Sequence, residues 1–208
     1  MHPAIAYFPS FRFYDGKVSS GVSDAERPFL QHFPWPNNKI PVALIDCDGK
    51  EERVSSNTIK LNENTNGGTS FRNRAQADVV LHCIDLLMKQ NCSCTVLSPY
   101  NGQVRYLTNM LSNFYSEDLK TGRLVISTID GFQGRESDAV VFSTVRCNDN
   151  GSLGFLADPR RMNVAITRAR QGLVVIGCQQ TLESDSNWRA WLEWITANRL
   201  SLTASSLM

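Results

Sequence analysis

The stretch DPRRMNVAITRARQGLVVIG, residues 158–177, joins a segment of helical character directly to a short β-rich run. Asp158 suits a helix N-cap, Pro159 the first helical position and Gly172 the residue just past the far end, so residues 159–171 read as one capped helix. The following LVVIG has the length and branched apolar character of a buried strand. The same alternation recurs upstream. VALIDC (42–47), TVLS (95–98), LVIST (124–128) and AVVFSTV (139–145) are β-rich runs separated by segments of helical period. Val80, Cys83, Ile84 and Leu87 fall on one helical face, as do Val104, Leu107, Leu111 and Phe114, and again Trp188, Trp191, Leu192 and Ile195. The expected fold is therefore a three-layer α/β domain, with a mainly parallel central sheet and helices on both faces.

With 208 residues, 42% of them hydrophobic, the chain can bury one large core, expected over residues 1–200 with 201–208 as a flexible tail. The polar, Gly/Asn-rich stretch 48–68 reads as a long surface loop. A formal net charge of +1 argues against coating a nucleic acid by charge alone, although a local basic groove remains compatible with it. The six cysteines lack paired CxxC spacing, so no metal site is expected and a reduced intracellular setting, cytoplasmic or nuclear, fits. Neither an 18-residue apolar run nor a signal-peptide pattern is present, so no membrane association is expected.

Ligands of open α/β sheets bind beyond the carboxyl ends of the strands, which directs attention to the loops after each run. Pro99, Tyr100 and Gln103 follow TVLS; IDGFQGRE follows LVIST and carries Gly131, Gln133, Gly134, Arg135 and Glu136. On the helix read at 159–171, Arg161 and Arg168 lie about 20° apart within an apolar arc. Two arginines so placed need anionic partners, because an unpaired buried charge costs several kcal/mol. Internal carboxylates (Asp130, Glu136 or Asp138) and a bound phosphate both satisfy that need, and periodicity does not choose between them.

Five segments, MHPAIAYFPS, SFRNRAQA, TVLSPYNGQ, STIDGFQGRESDAVVFSTVR and GFLADPRRMNVAITRARQGLVVIG, resemble in order the motifs of the second RecA-like domain of superfamily 1B helicases. The resemblance, to the eukaryotic helicases of nonsense-mediated decay and transcription termination, covers roughly residues 1–182. It implies a RecA-like, P-loop NTPase-type fold and a motor that uses ATP and Mg²⁺ to move along single-stranded RNA or DNA, RNA ahead of DNA. Arg168 matches the arginine finger, Gln133, Gly134, Glu136 and Arg161 the nucleotide side, and Pro99, Tyr100 and Thr128 the nucleic-acid contacts. Asn163 and Thr167 would link the two functions, with Arg74 a further nucleic-acid candidate. Implied partners are an upstream RecA-like domain, the nucleic-acid strand and regulatory proteins.

Two departures qualify the match. Gln76 stands where relatives often carry Glu, and MHPAI corresponds to the second half of a motif whose Tyr-Arg first half is missing. No G-x-x-x-x-G-K-[ST] loop occurs, so the chain reads as one half of a motor, expected not to hydrolyse ATP alone. The alternatives are a catalytically inert nucleic-acid-binding module and a protein-interaction domain that retains the scaffold.

Overall fold

The computed structural model describes residues 1–54 and 70–207. Helix α1 (Pro3–Phe13) precedes β1 (Val42–Asp46); a short ribbon, β2 (Glu52–Val54) and β3 (Ser70–Arg72), follows, then α2 (Arg74–Leu87) and β4 (Cys94–Ser98). Next come α3 (Asn101–Ser112), α4 (Ser116–Thr121), β5 (Leu124–Thr128), β6 (Ser137–Ser143), α5 (Pro159–Ile166) and β7 (Ala169–Gly177). The chain ends with α6 (Gln179–Leu182), α7 (Ser186–Ala197) and β8 (Ser201–Leu202). Six strands form one sheet in the order β5-β4-β6-β7-β1-β8, every neighbouring pair parallel.

Strand alternation builds the three layers. Val42, Leu44, Leu97, Val140, Phe142, Leu173 and Val175 face a core formed with α1, α5 and α7, where Phe8, Met162, Trp188 and Trp191 pack. Ala43, Ile45, Val96, Ala139, Val141, Val174 and Ile176 face the opposite core with α2 and α3, around Val80, Ile84, Leu87, Leu107 and Leu111. Both faces of the sheet are thus covered, which is why its strands read as continuous apolar runs. The RecA-like α/β expectation holds in its strands, layers and helix faces. Val104, however, is only half-buried, and Phe114 lies beyond α3 and is 67% exposed.

Three further expectations are corrected. Asp158 does cap α5, accepting from the Arg160 N–H, but the helix stops at Ile166. Thr167 closes it by donating its N–H and its hydroxyl to the Asn163 and Val164 carbonyls, after which residues 169–177 join the sheet. Gly172 is therefore a strand residue, not a cap, and a Cβ there would lie 2.5 Å from the Trp35 ring. The end of the chain is not a loose tail: β8 extends the sheet beside β1, and Leu207 is buried. Within the stretch taken as a surface loop, Glu52–Val54 pairs antiparallel with Ser70–Arg72, while 55–69 lie outside the described residues.

Candidate functional site

The loop between β5 and β6 leaves the carboxyl end of one strand and enters the amino end of the next, so it must traverse the sheet. Ile129 and Phe132 anchor it by inserting into the α1/α5/α7 core. Thr128 Oγ1 accepts from the Gly131 N–H at 3.0 Å, turning the chain at the carboxyl edge. At the other end, Gly134 holds φ +79°, where a side chain is strained, and no atom lies within 4 Å of its would-be Cβ. Gln133, Gly134, Arg135 and Glu136 are all exposed there. The candidate nucleotide residues thus gather at the amino edge of β6 and β7, not beyond the carboxyl ends where loop position alone would place them.

The arginines of residues 158–170 separate clearly. Arg160, exposed, pairs with Asp158 at 3.2 Å. Arg161 makes a two-pronged pair with Asp130 at 3.1 and 2.9 Å, which raises its pKa. Arg170, whose charge burial opposes, is held by Asp138 at 2.7 Å and Glu136 at 3.3 Å, and the net effect is a raised pKa. Arg168 forms no ion pair among the described residues. Its guanidinium is steadied by neutral oxygens: the Val164 carbonyl at 3.0 Å, Thr167 Oγ1 at 2.8 Å and the Arg135 carbonyl at 3.3 Å. A guanidinium has about five N–H donors, so roughly two remain for an incoming anion.

The helical geometry that set Arg161 beside Arg168 does not exist, because Arg168 lies past the end of α5. Of the two arginines judged to need an anion, Arg161 finds the internal carboxylate Asp130, and its guanidinium edge is occupied by that pair. As a nucleotide contact it would have to exchange that pair for a phosphate. Arg168 keeps the open position, and Ser137 N–H to Arg168 carbonyl, 3.1 Å, fixes its backbone where β6 and β7 begin.

At the carboxyl edge the expected strand contacts are uneven. Pro99 and Thr128 are half-buried at the ends of β4 and β5. Tyr100 is only 3% exposed, its hydroxyl donating to the Leu153 carbonyl and accepting from Arg146, so its side chain is not offered to solvent. Gln103 is equally internal, bonded to the backbone of Asn73. Arg74 pairs with Glu52 of the β2–β3 ribbon. Asn163 donates to the Tyr14 hydroxyl at 2.7 Å, and its buried Oδ1 has no partner. Gln76 accepts from Val145 N–H at 2.8 Å and Ser143 Oγ at 2.9 Å. Those donors need one acceptor oxygen, which a carboxylate would also provide.

Two residues escaped the sequence reading. Arg146, nearly buried, pairs with Glu51 at 2.9 Å, lies 4.5 Å from the Phe71 ring centroid and ties the ribbon to the end of β6. A lone charge directly after the apolar AVVFSTV could have flagged it. Phe155, 50% exposed beside Tyr100, carried no periodic signal because its 3-10 turn is only four residues long. Five cysteines are buried and Cys47 is half-buried; all are free, and burial pushes the Cys83 thiol up. Among the described residues, no group of three or more His, Cys, Asp or Glu is placed to hold a metal ion. No helix among them is long and apolar enough to cross a membrane.

The family model described as "AAA domain" matches residues 1–180. The chain belongs to this family. Within it the likeness is to Upf1-type superfamily 1 helicases, as their C-terminal RecA-like domain. It is 35% identical over 194 residues to "Regulator of nonsense transcripts 1" of Dictyostelium discoideum, covering 91% of this chain and 14% of that protein. The "ATP-dependent helicase NAM7" of Saccharomyces cerevisiae is also 35% identical over 194 residues, covering 90% and 19%. The C-terminal domain of a possible DNA helicase from Lactobacillus plantarum WCFS1 superposes with a TM-score of 0.50 at 11% identity, covering 97% of this chain and 95% of that one, a likeness of fold. This Upf1-type domain spans a fifth or less of its curated relatives, between 14% and 20% of each.

Proposed function

We propose that this Upf1-type domain is the second motor domain of an ATP-dependent helicase that translocates on single-stranded nucleic acid, RNA ahead of DNA, in the cytoplasm or nucleus. One observation carries the reading: of four arginines in thirteen residues, three are neutralised by carboxylates, while Arg168 is held by neutral oxygens at the amino edge beside Gly134. An arginine fixed in place with donors to spare suits a phosphate that arrives from outside the domain.

ATP and Mg²⁺ would be held mainly by an upstream RecA-like domain, ATP supplying the phosphoryl group whose charge Arg168 would meet. The open space around Gly134 fits the approach of such a group, and Gln133 and Glu136 flank it. Helix α5 joins the two edges. It begins on the side of Tyr100 and Phe155, runs about 12 Å, and ends just before Arg168. Asn163 and Thr167 lie on that path, so a pull on Arg168 is transmitted to the carboxyl edge, where Pro99 and Thr128 would touch the strand's backbone. Contacts of that kind carry little sequence information.

The test is ATP hydrolysis by the domain joined to its upstream half, with and without single-stranded RNA or DNA. Stimulation by either strand is expected, RNA the stronger. Hydrolysis indifferent to both would favour the inert-module reading.

A further inference from the structure

Tyr100, the aromatic that family resemblance assigns to the strand, is buried, and a different ring occupies the surface above it. Phe155 lies in the turn Gly154–Ala157, 5.6 Å from the Tyr100 ring centroid and half-exposed. The turn is fixed on both sides. Leu153 and Leu156 are buried, the Leu156 carbonyl accepts from Trp188 Nε1 at 2.9 Å, and a Cβ on Gly154 would lie 2.6 Å from Arg146 and 2.8 Å from the Tyr100 hydroxyl. Phe155 is thus an outward ring on a rigid mount. The Arg161 guanidinium lies 5.0 Å from its centroid, its own edge locked on Asp130 of the β5–β6 loop.

We propose that Phe155 is a stacking platform for a base of the single strand, a role no resemblance assigns to it; the proposal rests on the strand-binding function above. The surroundings distinguish this ring from the exposed aromatic pair on α1. Tyr7 and Phe11 form a contiguous apolar stripe on α1, their rings 5.4 Å apart, as suits a protein surface. Phe155 instead has the Arg161 guanidinium 5.0 Å from its ring centroid, paired with Asp130, and the Arg160–Asp158 pair follows it in the chain. Protein interface cores are depleted of charge, whereas the aromatic platforms on which bases of a single strand stack sit in polar, charged surroundings. Its place at the carboxyl edge also separates it from Arg168 and Gly134, so a strand base is favoured over the adenine of ATP.

The experiment uses the protein with its upstream half, a 4-thiouridine oligonucleotide for photo-crosslinking, and fluorescence anisotropy of a labelled oligouridine. Crosslinks should map to the peptide containing Phe155 and persist in excess ATP wherever anisotropy shows the strand still bound. Phe155→Ala should weaken strand affinity about 5- to 150-fold, the range that roughly 1–3 kcal/mol of stacking represents at about 1.4 kcal/mol per decade. Phe155→Trp should retain affinity. A parent that binds no strand overturns the function itself and this inference with it. A parent that binds, with Phe155→Ala equal to it, overturns the stacking role alone. Crosslinks lost to ATP while anisotropy shows the strand still bound would assign the ring to the nucleotide, and unchanged strand affinity with altered domain closure in small-angle scattering would assign it to the upstream domain; both also refute the proposal.

Discussion

Replacing Arg168 with alanine separates a residue that serves the fold from one that serves a phosphate. In the domain itself the guanidinium makes three hydrogen bonds, two to backbone carbonyls of Val164 and Arg135 and one to Thr167 Oγ1. Arg168 is half-buried, so water can replace much of what is lost. At about 0.5–1.5 kcal/mol per bond before that replacement, a net loss of about 1 kcal/mol is expected. For a domain of this size that lowers Tm by about 2–4 °C. The transition state responds on another scale. An arginine finger contributes about 10³- to 10⁵-fold in rate, equivalent to about 4–7 kcal/mol. The assay is strand-stimulated ATP hydrolysis by the joined protein, measured with a thermal melt of the same variant. Arg168→Lys should recover stability but little rate, since one ammonium does not reproduce the guanidinium fork. A variant that hydrolyses ATP within a few-fold of the parent refutes the assignment, and so does a Tm loss beyond about 10 °C, which would make Arg168 a structural residue.

Other substitutions probe the scaffold that sets the site. Gln76→Met strands the buried Val145 N–H, and urea unfolding should show a loss of about 1–3 kcal/mol from that group alone; an unchanged midpoint would mean another acceptor takes over. Gly134→Ala meets no atom, so its cost is backbone strain alone, about 1–2 kcal/mol, and Gly134→Asn should cost less in the same melt. Burial works against ionised Asp138, but hydrogen bonds from Ser93 and the pair with Arg170 hold its pKa below the usual carboxylate value. The unfolded chain therefore binds the proton more readily. The stabilisation is complete above the ordinary carboxylate pKa near 4 and is lost as pH falls through the lower folded value. Urea midpoints measured from pH 7 down to pH 3 should fall less steeply for Asp138→Asn than for the parent; identical slopes would contradict the coupling.

Local sequence determined the repeating parts of this protein. Continuous β-rich apolar runs specified β1 and β4 to β7, helical spacing specified the buried faces of α2 and α7, and Asp158-Pro159 specified where α5 begins. These follow from geometry within a few residues. The end of α5 was decided by tertiary structure. TRAR carries good helix formers, yet hydrogen bonding along β6 draws Ala169 onward into the sheet, since completing a buried ladder outweighs a small helical preference. That one change moved Arg168 off the helix, left Asp130 to Arg161 and turned Arg168 toward the amino edge. The exchange of Tyr100 for Phe155 at the surface has the same origin. Which ring is covered depends on Arg146, Phe71 and Gly154 meeting at the carboxyl edge. Sequence nominated arginines and aromatics as types; the charges and rings that reach them from distant segments decided which were consumed by the fold and which stayed available for a ligand.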